Sequence, residues 1–92
     1  MAKKPLQRIL KIVNQRGLHA RAAAKLAQVA SEFEAEINVT RAGQTVSARS
    51  IMGLMMLGAA INYNVKLEVS GSDAECAMQA LIELIEGKFG EN

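Results

Sequence analysis

Two short stretches of this chain alternate apolar and polar side chains in a way that suits a sheet with one dry face. From Ala35 to Arg41, Ile37 and Val39 fall on one side, and Glu36, Asn38 and Thr40 on the other. From Asn64 to Ser70, Val65, Leu67 and Val69 oppose Lys66 and Glu68. Successive strand side chains point to opposite faces, so each stretch reads as a half-buried strand. A sheet of that kind needs apolar cover on one side only. Two further strands are expected. Leu6 to Val13 is a short apolar and β-branched run, and Thr45 to Ala48 pairs back after the turn Arg41-Ala42-Gly43-Gln44.

The cover comes from segments with helical spacing. Ala20, Ala23, Leu26, Ala27 and Ala30 recur along one side, with Lys25, Gln28 and Glu32 on the other. Alanine favours helix and lets it lie close to a sheet. Ser50 to Leu57 reads as a short helix with serine as N-cap and Gly58 at its end. Ser72-Asp73-Ala74-Glu75 has the form of a capping box opening a last helix. Met78, Leu81, Ile82 and Ile85 make the apolar stripe of that helix, which runs to about Gly87. The order β-α-β-β-α-β-α gives an α+β fold with helices on one side of one sheet.

The 92 residues suit a single domain, 1–92, without repeats or linkers. A chain of this mass hides roughly 64% of its unfolded surface, enough for a thin two-layer core but not for a large cofactor pocket. Aromatic residues are 3% (Phe33, Tyr63 and Phe89), so aliphatic side chains and methionine must fill the core. One cysteine, Cys76, excludes an internal disulfide and points to a cytoplasmic protein. It is expected on the outer part of the last helix. Lys3-Lys4-Pro5 is not followed by the apolar run of a signal peptide. The longest greasy stretch, Ile51 to Ile61, has only 11 residues. That is too short to cross a bilayer, so no membrane insertion is expected.

The net charge of +2 is too mild to predict nucleic-acid binding, although Lys3, Lys4, Arg8, Lys11, Arg16 and Arg21 precede the first acidic residue, Glu32. Such an edge suits an acidic partner, a phosphate or plain solvent. Aromatic residues for base stacking are lacking, so no nucleic-acid partner is expected. His19 has no other ligand at metal spacing, and no metal or cofactor is expected. The motifs of nucleophilic hydrolases and phosphate-binding glycine loops are missing.

What remains is a histidine with an unusual address. His19 follows the turn Arg16-Gly17-Leu18 and stands immediately before the alanine-rich helix. A helix start offers unpaired N–H groups and partial positive charge, which disfavour imidazolium and welcome an anion. Arg21 adds a guanidinium suited to phosphate oxygens. Taken alone, a plain surface histidine at a helix start remains the stronger reading. Ile51, Met52 and Met55 are a second feature. Leu54 and Leu57 share a face with Ser50 and Gly53 and suit the core, which leaves those three to project elsewhere. They form either an adaptable docking surface or part of a Met-rich core. Ser50 is either an ordinary N-cap or a phosphorylation point beside that surface.

Together these segments are specific. Gly17-Leu18-His19-Ala20-Arg21 resembles the active-site signature of the HPr family, the histidine-containing phosphocarriers of the bacterial phosphotransferase system. Ser50 to Gly58 (SIMGLMMLG) resembles that family's regulatory serine segment, and the 31-residue interval from His19 to Ser50 agrees. The similarity runs from about Leu6 to Ile85. It implies an open-faced β-sandwich, with an antiparallel sheet in order 1-4-2-3 and three helices on one face. It implies that His19 accepts phosphate on Nδ1 from phosphorylated enzyme I, charged by phosphoenolpyruvate, and passes it to an enzyme IIA. Arg21 would assist the transfer. Ile51, Met52 and Met55, with residues around Ala20 and Ala24, would meet partners. Ser50 would be the target of an HPr kinase/phosphorylase. Such a protein is a phosphohistidine carrier rather than a stand-alone enzyme. The alternative is a regulatory binding module of the same fold, controlled at Ser50 without phosphoryl relay. In one departure, Ala22 stands where the family most often has proline. Alanine keeps its N–H and forms helix well, so the helix start is expected to survive. Some family members concerned with nitrogen or regulatory signalling share this alanine.

Overall fold

A computed structural model describes residues 5–91; Lys3 and Lys4 of the basic edge lie outside the described residues. The strands are β1 (Leu6–Lys11), β2 (Glu36–Arg41), β3 (Gln44–Ser47) and β4 (Asn64–Ser70), and the helices are α1 (Ala20–Ser31), α2 (Ile51–Met56) and α3 (Ala74–Glu86). The sheet is antiparallel throughout, in the order β1-β4-β2-β3.

The alternation in β2 and β4 becomes a single dry face. Ile37, Val39, Val65, Leu67 and Val69 are all buried, while Asn38, Lys66 and Glu68 keep contact with water. The three helices cover that face. Register makes it continuous, because Ile37 lies opposite Val69 and Val39 opposite Leu67. β1 is an edge strand that buries only Leu10; Ile9 lies opposite Lys66 on the outer face. The expected strand ran to Val13. The assigned strand stops at Lys11, although Ile12 still exchanges backbone hydrogen bonds with Asn62 and Tyr63. The β2–β3 hairpin turns on Ala42 and Gly43, both left-handed, the geometry that matches strand twist in a two-residue loop.

The helices present the expected apolar stripes, with one correction on α1. Ala20 is exposed, and the buried face is Ala22, Ala23, Leu26, Ala27 and Ala30. Ala20 is the first residue of α1, two positions before the buried Ala22. Ala22 is fully buried within the first turn, so the alanine leaves the helix start intact. In α2, Leu54 enters the core, and Leu57 is buried just past its end. Ser50 Oγ accepts from the Gly53 amide, and left-handed Gly58 follows the last turn, as expected.

The capping box at Ser72 does not form. Asp73 holds the N-cap position of α3, and its side chain makes no capping bond. Its two carboxylate oxygens instead accept the backbone amides of Glu34 and Ala35, both at 2.9 Å. Two charge-assisted bonds satisfy amides of the loop entering β2, and they outweigh one exposed cap. Arg49 ties the same loop from the other side through the carbonyls of Ala30, Phe33 and Ala35.

Beyond α3 the chain makes a 3-10 turn at Lys88–Gly90 that drives Phe89 fully into the core. Lys88, Phe89 and Gly90 are all left-handed, so the backbone folds back on itself. Lys25 Nζ from α1 donates to the Phe89 carbonyl at 2.6 Å and fastens the turn. Phe89→Ala should cost about 3–5 kcal/mol, the usual range for emptying a core aromatic site. Urea denaturation measures it, and a loss near zero would mean that Phe89 anchors nothing.

Candidate functional site

The turn that presents His19 is built on Gly17. Its φ of +65° favours glycine, and a Cβ there would lie 2.4 Å from the Ala59 carbonyl oxygen and 2.9 Å from Ala60 Cα. The close approach lets Leu18 N–H donate to that same carbonyl at 2.9 Å, while the Leu18 side chain enters the core. His19 N–H donates back to the Gly17 carbonyl, and the His19 carbonyl accepts the first bond of α1 from Ala23 N–H. His19 is therefore the N-cap residue, with extended backbone, and its side chain makes no capping bond. The first amides of α1 have no carbonyl partner inside the helix, and the helix dipole adds partial positive charge beside the ring.

The ring is neither buried nor free. Its side chain is 24% exposed, open to an approaching group. Its Nε2 lies 2.5 Å from Glu91 Oε2. A carboxylate only accepts, so Nε2 carries the hydrogen, and in the neutral ring Nδ1 then holds the lone pair. Glu91 is itself held. Asn14, buried in the adjacent turn, donates from Nδ2 to Glu91 Oε1 at 3.1 Å and to the Gly17 carbonyl at 2.9 Å. The opposite amide orientation would turn Oδ1 toward two acceptors, which fixes the assignment. One buried amide thus joins the glycine turn to the residue holding the imidazole.

The His19 hydrogen bond, followed by that of Asn14, holds the Glu91 carboxyl below its ordinary value of 4.5. The charge of Arg16, and that of His19 whenever the ring is protonated, acts in the same direction, and partial desolvation opposes it.

Arg21 is exposed and makes no ion pair among the described residues. With Gln15, Arg16, Lys25, Gly90 and Glu91 it lines a shallow basin at the start of α1. Three of those six residues are cationic. Ala20 and Ala24 are exposed on the same helix. Across the α1–α2 contact, Ile51 and Met55 are each 44% exposed and Met52 and Met56 each 73%. The sequence separates the His19 turn from α2 by about thirty residues, but Ala59, just past α2, packs directly on Gly17. Met56 adds to the expected apolar patch. Ser50 is exposed at its edge, with Oγ occupied as a cap. No group of three or more His, Cys, Asp or Glu gathers among the described residues at metal-binding distance. No described helix is long and apolar enough to cross a membrane.

Glu91, Asn14, Lys25 and Phe89 were not legible as site residues. His19 and Glu91 lie 72 positions apart, and only the turn after α3 brings them together. The available signal was Phe89, a solitary aromatic between Gly87 and Gly90, which marks a place where the chain must turn inward.

A depressed carboxyl contributes stability above its unfolded value and loses it as pH falls through the folded one. The Glu91 contact should therefore be complete above about 4.5 and disappear only at lower pH. Carboxyl-carbon NMR would show Glu91 titrating below the ordinary glutamate value of 4.5. A titration at that ordinary value would mean that the contact is absent in solution.

Comparison with known proteins agrees with this fold. The family model described as "PTS HPr component phosphorylation site" matches residues 6–87. A phosphocarrier protein HPr of Cupriavidus necator is 51% identical over 86 residues, covering 94% of this chain and 97% of that protein. A phosphocarrier protein NPr of Shewanella violacea is 44% identical and covers 94% of each. A crystal structure of an HPr from Thermoanaerobacter tengcongensis superposes with a TM-score of 0.91 at 46% identity, covering 95% of this chain and 98% of that one. With the sheet order, the glycine turn and the histidine at the helix start already in place, the chain belongs to the HPr family of the phosphotransferase system.

Proposed function

We propose that this protein is a cytoplasmic phosphoryl carrier. It takes a phosphoryl group on His19 Nδ1 from phosphorylated enzyme I and delivers it to an enzyme IIA. The observation that carries the reading is the state of the His19 ring, part-exposed at the N-cap with Nε2 already hydrogen-bonded to Glu91. Nδ1 then holds the lone pair that forms the new N–P bond, while the donor keeps the electron pair of the bond that breaks. Phosphate oxygens arriving there meet the unpaired amides of α1 and the charge of Arg21. No small substrate is turned over, so the partners supply the remaining chemistry.

Ile51, Met52 and Met55, with Ala20 and Ala24, serve as the docking face. Exposed methionines repack against different partners, as a carrier with successive partners requires. Ser50 stands at its edge as a regulatory site for an HPr kinase/phosphorylase. Phosphate on Ser50 would suit the helix start but place about two negative charges beside an apolar contact.

Incubation with enzyme I, magnesium and phosphoenolpyruvate tests the reading. The expected product carries an acid-labile, base-stable phosphate, and His19→Ala abolishes labelling without unfolding the protein. No label from an active enzyme I would point instead to a regulatory module without relay. Ser50→Asp should slow transfer from enzyme I by about tenfold, through charge placed at the contact. Transfer at the parental rate would remove α2 from the docking face.

A further inference from the structure

We propose that Glu91 is a positioning residue for His19: its carboxylate holds the hydrogen on Nε2, keeps Nδ1 as the nucleophilic nitrogen, and balances the charge the ring gains on phosphorylation. The proposal rests on the reading of His19 as the phosphoryl acceptor.

Several independent features place this carboxylate. The chain does not simply end its fold with α3. It turns back through Lys88, Phe89 and Gly90, all left-handed. For the two non-glycine residues that conformation costs about 1 kcal/mol or more each. Burial of Phe89 and the Lys25 bond to its carbonyl offset the cost. The product of that arrangement is the delivery of Glu91 to the ring. Asn14 then fixes the second carboxylate oxygen, using the same nitrogen that fixes the Gly17 carbonyl. Ring and carboxylate are thus referenced to the same turn, and both are partly shielded, with side chains 24% and 16% exposed.

The chemistry needs such a partner. A neutral imidazole has one N–H and one lone pair, and the protonated nitrogen cannot attack. With the hydrogen on Nε2, the Nδ1 lone pair forms the N–P bond, and the donor leaves with the electron pair of the broken bond. No proton leaves the ring in that step, so the phosphorylated ring carries positive charge shared with Nε2–H. Glu91 faces that N–H and compensates it. On delivery the N–P electron pair returns to Nδ1, and the same geometry is restored. The carboxylate sits at the nitrogen that is not phosphorylated, so it need not displace the incoming group. Carboxylates that orient metal-bound imidazoles follow the same logic.

The test uses the whole chain labelled with nitrogen-15 at histidine. The parent should show a His19 Nε2–H proton protected from exchange with water. Glu91→Ala should lose that signal and slow phosphoryl transfer from enzyme I by about tenfold, with the effect in kcat rather than KM. Glu91→Gln, which retains an acceptor oxygen, should recover the signal and part of the rate. Melting curves confirm that both variants are folded. Parental transfer by Glu91→Ala, a loss confined to KM, or no protected proton in the parent would each overturn the proposal. The proton signal is read without any donor. A chain that shows it yet takes no phosphate from active enzyme I would therefore sink the carrier reading, while leaving the ring contact intact.

Discussion

Five side chains from two neighbouring strands, Ile37 and Val39 of β2 with Val65, Leu67 and Val69 of β4, must leave water together, and they do so on one face. Fully burying each contributes about 1.5–3 kcal/mol. A register slip of one residue in either strand would turn its apolar set to solvent, so this face also fixes the pairing. The outer face stays wet, and the helices need to cover only the other. Small residues let α1 lie close. Its buried face consists of four alanines and one leucine.

The site follows from that packing. Because α1 is pinned by its alanine face, its first turn has a fixed place and direction. The chain reaches that turn through Gly17, pressed against the connection that follows α2. His19 thus stands where the helix amides are unpaired, close to an exposed apolar helix. The polar supports come from elsewhere: Asn14 from the entering turn, Lys25 from the second turn of α1, and Glu91 from the segment after α3. Rigid backbone supplies the position, and the carboxylate supplies the state of the ring. On the proposed reading, that division keeps Nδ1 unprotonated while the partners change.

The same molecule shows how short-range and long-range information differ. The burial of Leu54 was readable from spacing on α2, whereas spacing left Met52 between a docking surface and a Met-rich core, and the structure exposes it. The role of Asp73 was not readable. Ser72 to Glu75 has the local form of a capping box, yet two loop amides from Glu34 and Ala35 compete for the Asp73 carboxylate and take it. Ala20 showed a similar limit, since a stripe drawn by period alone cannot say which of its residues find a neighbour to cover them.

The sequence by itself determined the alternating strands, the alanine helix, the capped methionine helix and the histidine at a helix start. Each is written in periods of two or 3.6 residues, or in the residue types that backbone angles demand, and none needs a distant partner. Tertiary structure alone decided that Phe89 would be buried, that Asn14 would bridge two segments, and that Glu91 would meet His19. The two contacts of Glu91, with Asn14 and His19, join residues more than seventy positions apart, and no local pattern encodes which carboxylate a folded chain brings to an imidazole. The glycine turn lies between these cases. Its need for a left-handed residue was local, but its contact with Ala59 existed only once the core had closed.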